Sequence, residues 1–154
     1  FHLPKPIINR GGCNFSFAGL KTAILRAKTS LKTLKDRYDL AASFQSTVLK
    51  IIYKKTKVAM KEFRGNRKER ALVVAGGVAA NKEIRKIINK LCAEENFKSY
   101  FPKTKLCGDN AAMIAIAGLK RFKRKNFDKL DFSVKPRWAL DSKAKFLKGS
   151  GVKL

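Results

Sequence analysis

From Leu20 onward the apolar side chains return at helical spacing. Leu20, Ala23, Ile24, Ala27, Leu31 and Leu34 share one face while Lys and Arg take most of the rest. A second, longer stripe runs through Leu40, Phe44, Val48, Ile51, Ile52, Val58, Ala59 and Phe63, with Asp36 or Asp39 placed to cap that helix. Ahead of both, residues 1–19 carry two prolines, a Gly-Gly pair, and an alternation that puts Phe15 and Phe17 on one face. That pattern predicts a turn leading into a strand or hairpin arm.

Past Phe63 the period changes. "RGNRKER" (64–70) reads as an exposed basic loop. "ALVVAGG" (71–77) is short, β-branched and closed by glycines, as suits a buried strand. A helix follows with Ile84, Ile87, Ile88 and Leu91 inward, then a weak second strand at "FKSYF" (97–101). A small-residue helix runs from Asp109 to about Lys123, with Ala112, Ala115, Ile116 and Leu119 available for close packing. Strand, helix, strand, helix without internal repeats indicates an α/β sheet. The last dozen residues, "KAKFLKGSGVKL", are expected to fray, giving a body over 1–140 and a basic tail over 141–154.

Length and composition narrow the class. A chain of 154 residues is one domain, or one lobe of something larger. At that size folding buries roughly 68–70% of the unfolded surface, so a core forms without staples. An apolar content of 45% with 11 Phe is globular rather than disordered. The chain starts at Phe rather than Met, with no leader pattern, and reads as part of a longer polypeptide. Its longest apolar run, Ala71 to Ala80, is ten residues and contains two Gly, too short for a membrane span. Three cysteines, Cys13, Cys92 and Cys107, form no close-spaced pattern, which argues against a disulfide framework and for a reducing, cytoplasmic setting.

Charge changes the picture more. Thirty-six Lys and Arg against 11 Asp and Glu give +25, far beyond what solubility asks of a small domain. Such an excess points to a polyanionic partner, nucleic acid first and an anionic membrane surface second. A Lys-rich bias spread over solvated faces is the plainer alternative. The phosphate-contact candidates are Lys120, Arg121, Lys123, Arg124 and Lys125 in "KRFKRK", together with "RGNRKER". Phe122 inside the first run stacks on a base or belongs to the core. Trp138, in "VKPRWAL", poses the same choice, and packing over a helix is the commoner role.

Two stretches without Lys or Arg carry the candidate chemistry. A strand ending in Gly76-Gly77 before a helix removes side chains where backbone can approach a ligand, provided the space beside the bend is open. The helix start offers N–H donors and a partial positive end suited to phosphate. Asn81, near that start, has an amide fit for a ribose or a base edge; its plain role is an N-cap. In "LCGDNAAMIA" (106–115), Asp109 caps its helix or projects as a metal ligand. The one histidine, His2, is far away in sequence, and no Cys-x-x-Cys occurs, so a metal at Asp109 needs ligands from outside this chain. Nothing makes a nucleophile–base pair. Cys92 continues the apolar face of its helix and reads as core.

In order, "FHLPKP", "CNFSFAGLKTA", "DLAASFQSTV", "LVVAGGVAANKEIR", "LCGDNAAMIAIAG" and "VKPRWAL" resemble the C-terminal half of the TsaD family. These are transferases that place threonylcarbamoyl on an adenosine of tRNA, known earlier as O-sialoglycoprotein endopeptidases. The resemblance spans nearly all of residues 1–140. It implies an actin-like, Hsp70-like and sugar-kinase-like ATPase fold (ribonuclease H-like), of which this chain is the second lobe, helix-rich with a small sheet. It implies that Gly76, Gly77 and Asn81 contact an adenine nucleotide, threonylcarbamoyl-AMP or an ATP-like one, and that Asp109 is a ligand of one divalent iron or zinc. It implies tRNA as substrate, with a paralogous actin-like subunit and a small ATPase as partners and no membrane. The family usually has Asp, Ser and Thr where this chain has Asn14, Ala18 and Gly108. Its His-x-x-x-His pair and first-lobe residues have no counterpart here, so the chain alone is expected to be catalytically inert. Two other readings stand beside this one: a basic nucleic-acid-binding module with a merely structural glycine turn, and a metallo-glycoprotease as the older family name has it.

Overall fold

The computed structural model describes residues 1–64 and 70–134. The centre of "RGNRKER", Trp138 and the 141–154 tail lie outside the described residues, as does the boundary expected at 140. The chain divides into two compact units, residues 1–110 and the residues from Ala111 onward.

The first unit is helix-rich with a small parallel sheet. Helix α1 spans Leu20–Lys28 and α2 spans Leu34–Arg64. Strand β1 is Ala71–Val73, α3 is Lys82–Glu94 and β2 is Lys98–Tyr100. The two strands pair in parallel with Ala71 opposite Lys98, and Val74 extends the ladder by donating its N–H to the Tyr100 carbonyl at 2.9 Å. Parallel neighbours require a crossover, and α3 is that crossover.

The first helix, expected to run through Leu34, stops at Lys28, and Leu34 belongs to the second. Thr29 and Ser30 turn their hydroxyls onto the carbonyls of Arg26 (2.7 Å) and Ala27 (2.9 Å), and α1 ends there. Leu31 still packs on the core from the loop, whereas Leu34 opens α2 and is 65% exposed. Neither Asp36 nor Asp39 is the N-cap. Thr33 fills that role: its hydroxyl accepts the Asp36 N–H at 3.0 Å, and the Asp36 carboxylate accepts the N–H of Thr33 (2.9 Å) and of Lys32 (3.0 Å). This is a reciprocal capping box. Asp39 instead pairs with Lys35 one turn back, at 2.6 Å.

Two apolar clusters lean on α2. In one, Leu3, Leu20 and Leu40 are buried under α1. In the other, Met60 of α2 meets Ile84, Ile88, Leu91 and Cys92 of α3, with Leu72, Val74 and Phe97 packed around them. The inward face expected for α3 is the one observed, and Cys92 is core. The α2 stripe also holds a residue that no apolar pattern marks. Lys55 is 1% exposed and its Nζ donates to the carbonyls of Arg10 (2.5 Å) and Gly12 (3.1 Å), fixing the Gly-Gly turn against the helix.

Two expectations about strands are corrected. Residues 15–19 form no strand, and Phe15 and Phe17 are exposed on a connecting segment. β1 is buried on one face only: Leu72 packs inward while Val73 is 70% exposed, because among the described residues no further element covers that side of the sheet. Helix α3 ends by turning left-handed at Asn96 (φ 56°), with the Phe97 N–H returning to the Cys92 carbonyl at 2.8 Å.

The second unit holds α4, Ala111–Lys123, with no buried residue. Ala112, Ala115, Ile116 and Leu119 lie on this helix as expected, all of them exposed. Among the described residues no helix is long and apolar enough to cross a membrane.

The capping box makes one prediction. The Asp36 carboxyl is held below its ordinary value, first by the Thr33 backbone N–H, then by that of Lys32 and by the Thr33 hydroxyl. A carboxyl lowered by folding stabilises fully above its unfolded value, about 3.9, and that contribution is lost as pH falls through the lower folded value. Replacing Asp36 by Asn is expected to flatten the stability–pH profile in that acid interval, followed by far-ultraviolet circular dichroism. An unchanged acid limb would contradict the assignment.

Candidate functional site

Loops leaving the carboxyl ends of neighbouring parallel strands are where open α/β sheets hold ligands. Here two such loops leave β1 and β2 side by side, and they contain the glycine turn and the Asp109 motif. After Val74 the chain reaches Gly76 at φ 90°, ψ 170°, a backbone that only glycine adopts readily. Gly77 then opens a short 3₁₀ turn, Gly77–Ala80, that separates the glycines from α3. A Cβ built on either glycine would meet nothing within 4 Å, so the bend is not plugged by the protein's own side chains. Beside it lies a cavity of about 480 Å³, walled by Ala75, Val78 and Ala79 from the turn, Phe15 and Phe17 from the first segment, and Phe44, Val48 and Ile52 from α2. Thr56 is the one hydroxyl among its walls. A larger cavity of about 770 Å³ lies between α1 and α2 and shares the Phe17 and Phe44 walls, and none of Gly76, Gly77, Asn81 and Asp109 lines either cavity.

Asn81 is the N-cap of α3. Its side-chain oxygen accepts the N–H of Glu83 at 2.9 Å and of Ile84 at 3.1 Å, while its backbone carbonyl takes the Arg85 N–H at 3.1 Å. This corrects the anion seat expected at that helix start, because two of its donors are already used and Glu83 adds a negative charge to the first turn. The Asn81 amide nitrogen faces the Gln45 side-chain oxygen across a long 3.4 Å contact and remains the group able to donate to a ligand.

Arg85, one turn along α3, is the site residue that the sequence did not single out. Its Nε donates to the Ala79 carbonyl at 2.6 Å, and its Nη2 to the Pro102 carbonyl at 2.9 Å and the Cys107 sulfur at 3.2 Å. The guanidinium lies 4.9 Å from the centre of the Phe101 ring. One side chain therefore ties the glycine turn to the loop after β2. Among 36 Lys and Arg, nothing in the spacing marks it.

That second loop carries Asp109. The Asn110 amide donates to the carbonyls of Gly108 (2.9 Å) and Leu106 (3.4 Å), and Cys107 is buried inside the turn. Asp109 is exposed and stands two residues before α4, so it is not the residue adjoining the helix start. A Cβ at Gly108 would meet nothing within 4 Å. Among the described residues no three His, Cys, Asp or Glu side chains are grouped to hold a metal ion. One exposed carboxylate does not hold iron or zinc, and these residues alone do not fit a metal. His2 lines a separate pocket with Ser43 and Thr47. No thiol is prepared as a nucleophile on Cys13 or Cys92. The Glu62 carboxylate accepting its S–H raises the Cys13 thiol, and burial raises that of Cys92.

In the second unit the basic run closes α4. The Asn126 and Lys125 N–H groups return to the carbonyls of Arg121 (3.0 Å) and Phe122 (2.9 Å), and Lys125 takes the left-handed position at φ 52°. Arg121 is paired with Asp128 at 2.7 Å, which leaves Lys120, Lys123, Arg124 and Lys125 as the exposed cations of the run without that bridge. Phe122 is not core. It is 65% exposed and meets Phe127 edge-on, ring centres 5.8 Å apart.

A glycine turn and a capped crossover helix at the carboxyl edge of a parallel pair define a βαβ unit. Comparison with known proteins gives its family. The model of the TsaD family, tRNA N6-adenosine threonylcarbamoyltransferase, matches residues 1–116. The protein of that name from Pelagibacter ubique (strain HTCC1062) is 56% identical over 156 residues, covering 100% of this chain and 44% of its own length. The one from Cereibacter sphaeroides (strain ATCC 17023) is 43% identical over 160 residues, covering 99% and 44%. The one from Rickettsia rickettsii (strain Sheila Smith) is 44% identical over 146 residues, covering 92% and 42%. The chain belongs to the TsaD family and spans a little under half the length of these relatives.

The cap geometry yields a second prediction. Asn81→Ala is expected to destabilise the first unit by about 1 kcal/mol in urea denaturation, and Asn81→Ser to leave it near the parent, because a serine oxygen still accepts the first-turn N–H groups. Equal losses for the two would show that the cap is not what Asn81 contributes.

Proposed function

We propose that this chain is part of a transferase that moves a threonylcarbamoyl group from threonylcarbamoyl-AMP to the exocyclic amine of an adenosine in tRNA. It would form most of the second lobe of a two-lobed, actin-like protein, with a paralogous actin-like subunit and a small ATPase as partners in the cytoplasm. The observation that carries this reading is the bare Gly76-Gly77 bend, with open space at both glycines, leading through Asn81 into α3 next to an apolar cavity walled by Ala75, Val78 and Ala79. Family membership supports the reaction class.

In this reading Gly76 and Gly77 let the nucleoside lie against peptide backbone, and the Asn81 amide nitrogen donates to it. The Val78, Phe17 and Phe44 side chains exclude water from the base. Asp109 is one ligand of a divalent iron or zinc, and the remaining ligands come from the part of the relatives' length that this chain does not span. Lys120, Lys123, Arg124 and Lys125 meet tRNA phosphates, with Arg121 engaged by Asp128. The chain by itself is inert, because one wall of a cleft cannot orient both reactants.

The runner-up is a nucleic-acid-binding module without catalysis, favoured by one observation: the Asn81 oxygen is fully used in capping. Asn81→Ser separates the two, since it keeps the cap and removes the amide donors. In the full-length protein, affinity for AMP is expected to fall by roughly 2- to 12-fold, the equivalent of one hydrogen bond, with thermal stability unchanged. Undiminished AMP affinity would leave the module. A further measurement addresses tRNA. Changing Lys123, Arg124 and Lys125 together to Gln is expected to make the dependence of log affinity on log salt shallower, by about 0.9 for each duplex phosphate that these side chains cease to neutralise. An unaltered slope would remove these cations from the tRNA surface.

A further inference from the structure

We propose that Arg85 is a positioning residue that couples the Gly76–Ala80 turn to the Cys107–Asp109 loop, so that a nucleotide seated on the first is registered at the second. This deepens the proposed function and rests on it for the identity of the ligand.

The geometry is that of a strap. Arg85 acts from the second turn of α3 on three acceptors widely separated along the chain: Ala79 before it, Pro102 and Cys107 after it. Ala79 is itself buried at the centre of the 3₁₀ turn, three residues from Gly76. Cys107 is buried and stands two residues before Asp109. The half-buried guanidinium donates to these acceptors and lies over the Phe101 ring, 4.9 Å from its centre, so it is held by both kinds of contact. The backbone alone joins β1 to β2 only as far as the Val74–Tyr100 hydrogen bond. Beyond that point Arg85 is the side chain seen to bridge the two loops. A lysine cannot replace it, since a single ammonium on a flexible stem does not present donors along two directions while stacking on a ring.

A residue with only a structural role would change overall stability and leave the two loops equally responsive to ligand. Coupling makes a different demand, readable by hydrogen exchange of peptides covering 76–81 and 102–110 in the full-length protein with and without saturating AMP. In the parent protein AMP is expected to slow exchange in both segments. In Arg85→Lys it is expected to slow 76–81 still, but no longer 102–110. Slowing of both segments in Arg85→Lys to the parental extent overturns the proposal, and so does slowing confined to 76–81 in the parent. If AMP slows neither segment in the parent, the nucleotide assignment fails and coupling is read without ligand from Cys107→Ala, which also serves if Arg85→Lys does not fold. Faster exchange at 76–81 as well as at 102–110 in Cys107→Ala supports the strap, whereas a rise confined to 102–110 overturns it.

Discussion

The parallel pairing of β1 with β2 is the constraint on which the rest of the first unit depends. With Ala71 opposite Lys98, both strands run the same way and their carboxyl ends lie side by side. The chain between them must travel back along the sheet, which requires α3 and fixes which of its faces is buried. The exit from β1 must then reverse within a few residues. Gly76 supplies the backbone angle that makes this possible, and Asn81 supplies the oxygen that ends the turn and starts the helix. Gly76 and Asn81 are thus residues the crossover itself demands. That both glycines face open space, with a cavity walled by their neighbours Ala75, Val78 and Ala79, is a separate fact, which no requirement of the crossover explains.

Helix α2 makes the crossover's burial possible, because it supplies the apolar surface on which both core clusters are built. Its length also creates a difficulty, since a stripe through so many turns drifts around the helix and reaches positions where the neighbour is irregular backbone rather than a packed element. Lys55 answers that locally. Its methylene stem fills core space and its ammonium satisfies the carbonyls of Arg10 and Gly12, which form part of a turn with no sheet or helix partner of its own. A leucine there would fill the volume but leave those carbonyls unmet.

How far the sequence could be read follows from this. Helix α3, with Ile84, Ile88 and Leu91 inward, was legible because the whole element faces one partner and period alone determines burial. The βαβ order was legible from the change of period at residue 71. The break at Thr29-Ser30 was not, because a run of apolar residues continues across it and the signal is two hydroxyls choosing the backbone behind them. Phe15 and Phe17 alternate as in a strand, yet no strand lies beside them among the described residues, and alternation without a partner makes no ladder. Lys55 and Arg85 were hidden by the composition: in a chain with 36 Lys and Arg, one inward cation looks like every outward one. Asp109 could be named as a donor, but a donor set is a property of space, and the described residues supply no second and third member.

These geometries bear on which part of a nucleotide the glycine turn suits. A seat for phosphate needs unsatisfied N–H groups at a helix start and no competing negative charge. Here the Asn81 oxygen occupies the N–H groups of Glu83 and Ile84, and the Glu83 carboxylate sits in the first turn. The cavity beside the turn is walled by valine, alanine and phenylalanine side chains, with a single hydroxyl. Those walls reject an anion, because burying a charge without partners costs far more than any apolar packing there returns. They accept a flat, neutral ring, which loses little hydration and can lie against aromatic edges. On the proposed reading, the nucleoside end of the nucleotide belongs at the Gly76–Asn81 turn, and the phosphate end must find its donors on surfaces other than this helix start. A chain carrying +25 nonetheless has no Lys or Arg from Ala71 to Asn81, and Arg85, which reaches the turn, turns its donors onto Ala79, Pro102 and Cys107 rather than into the cavity walls.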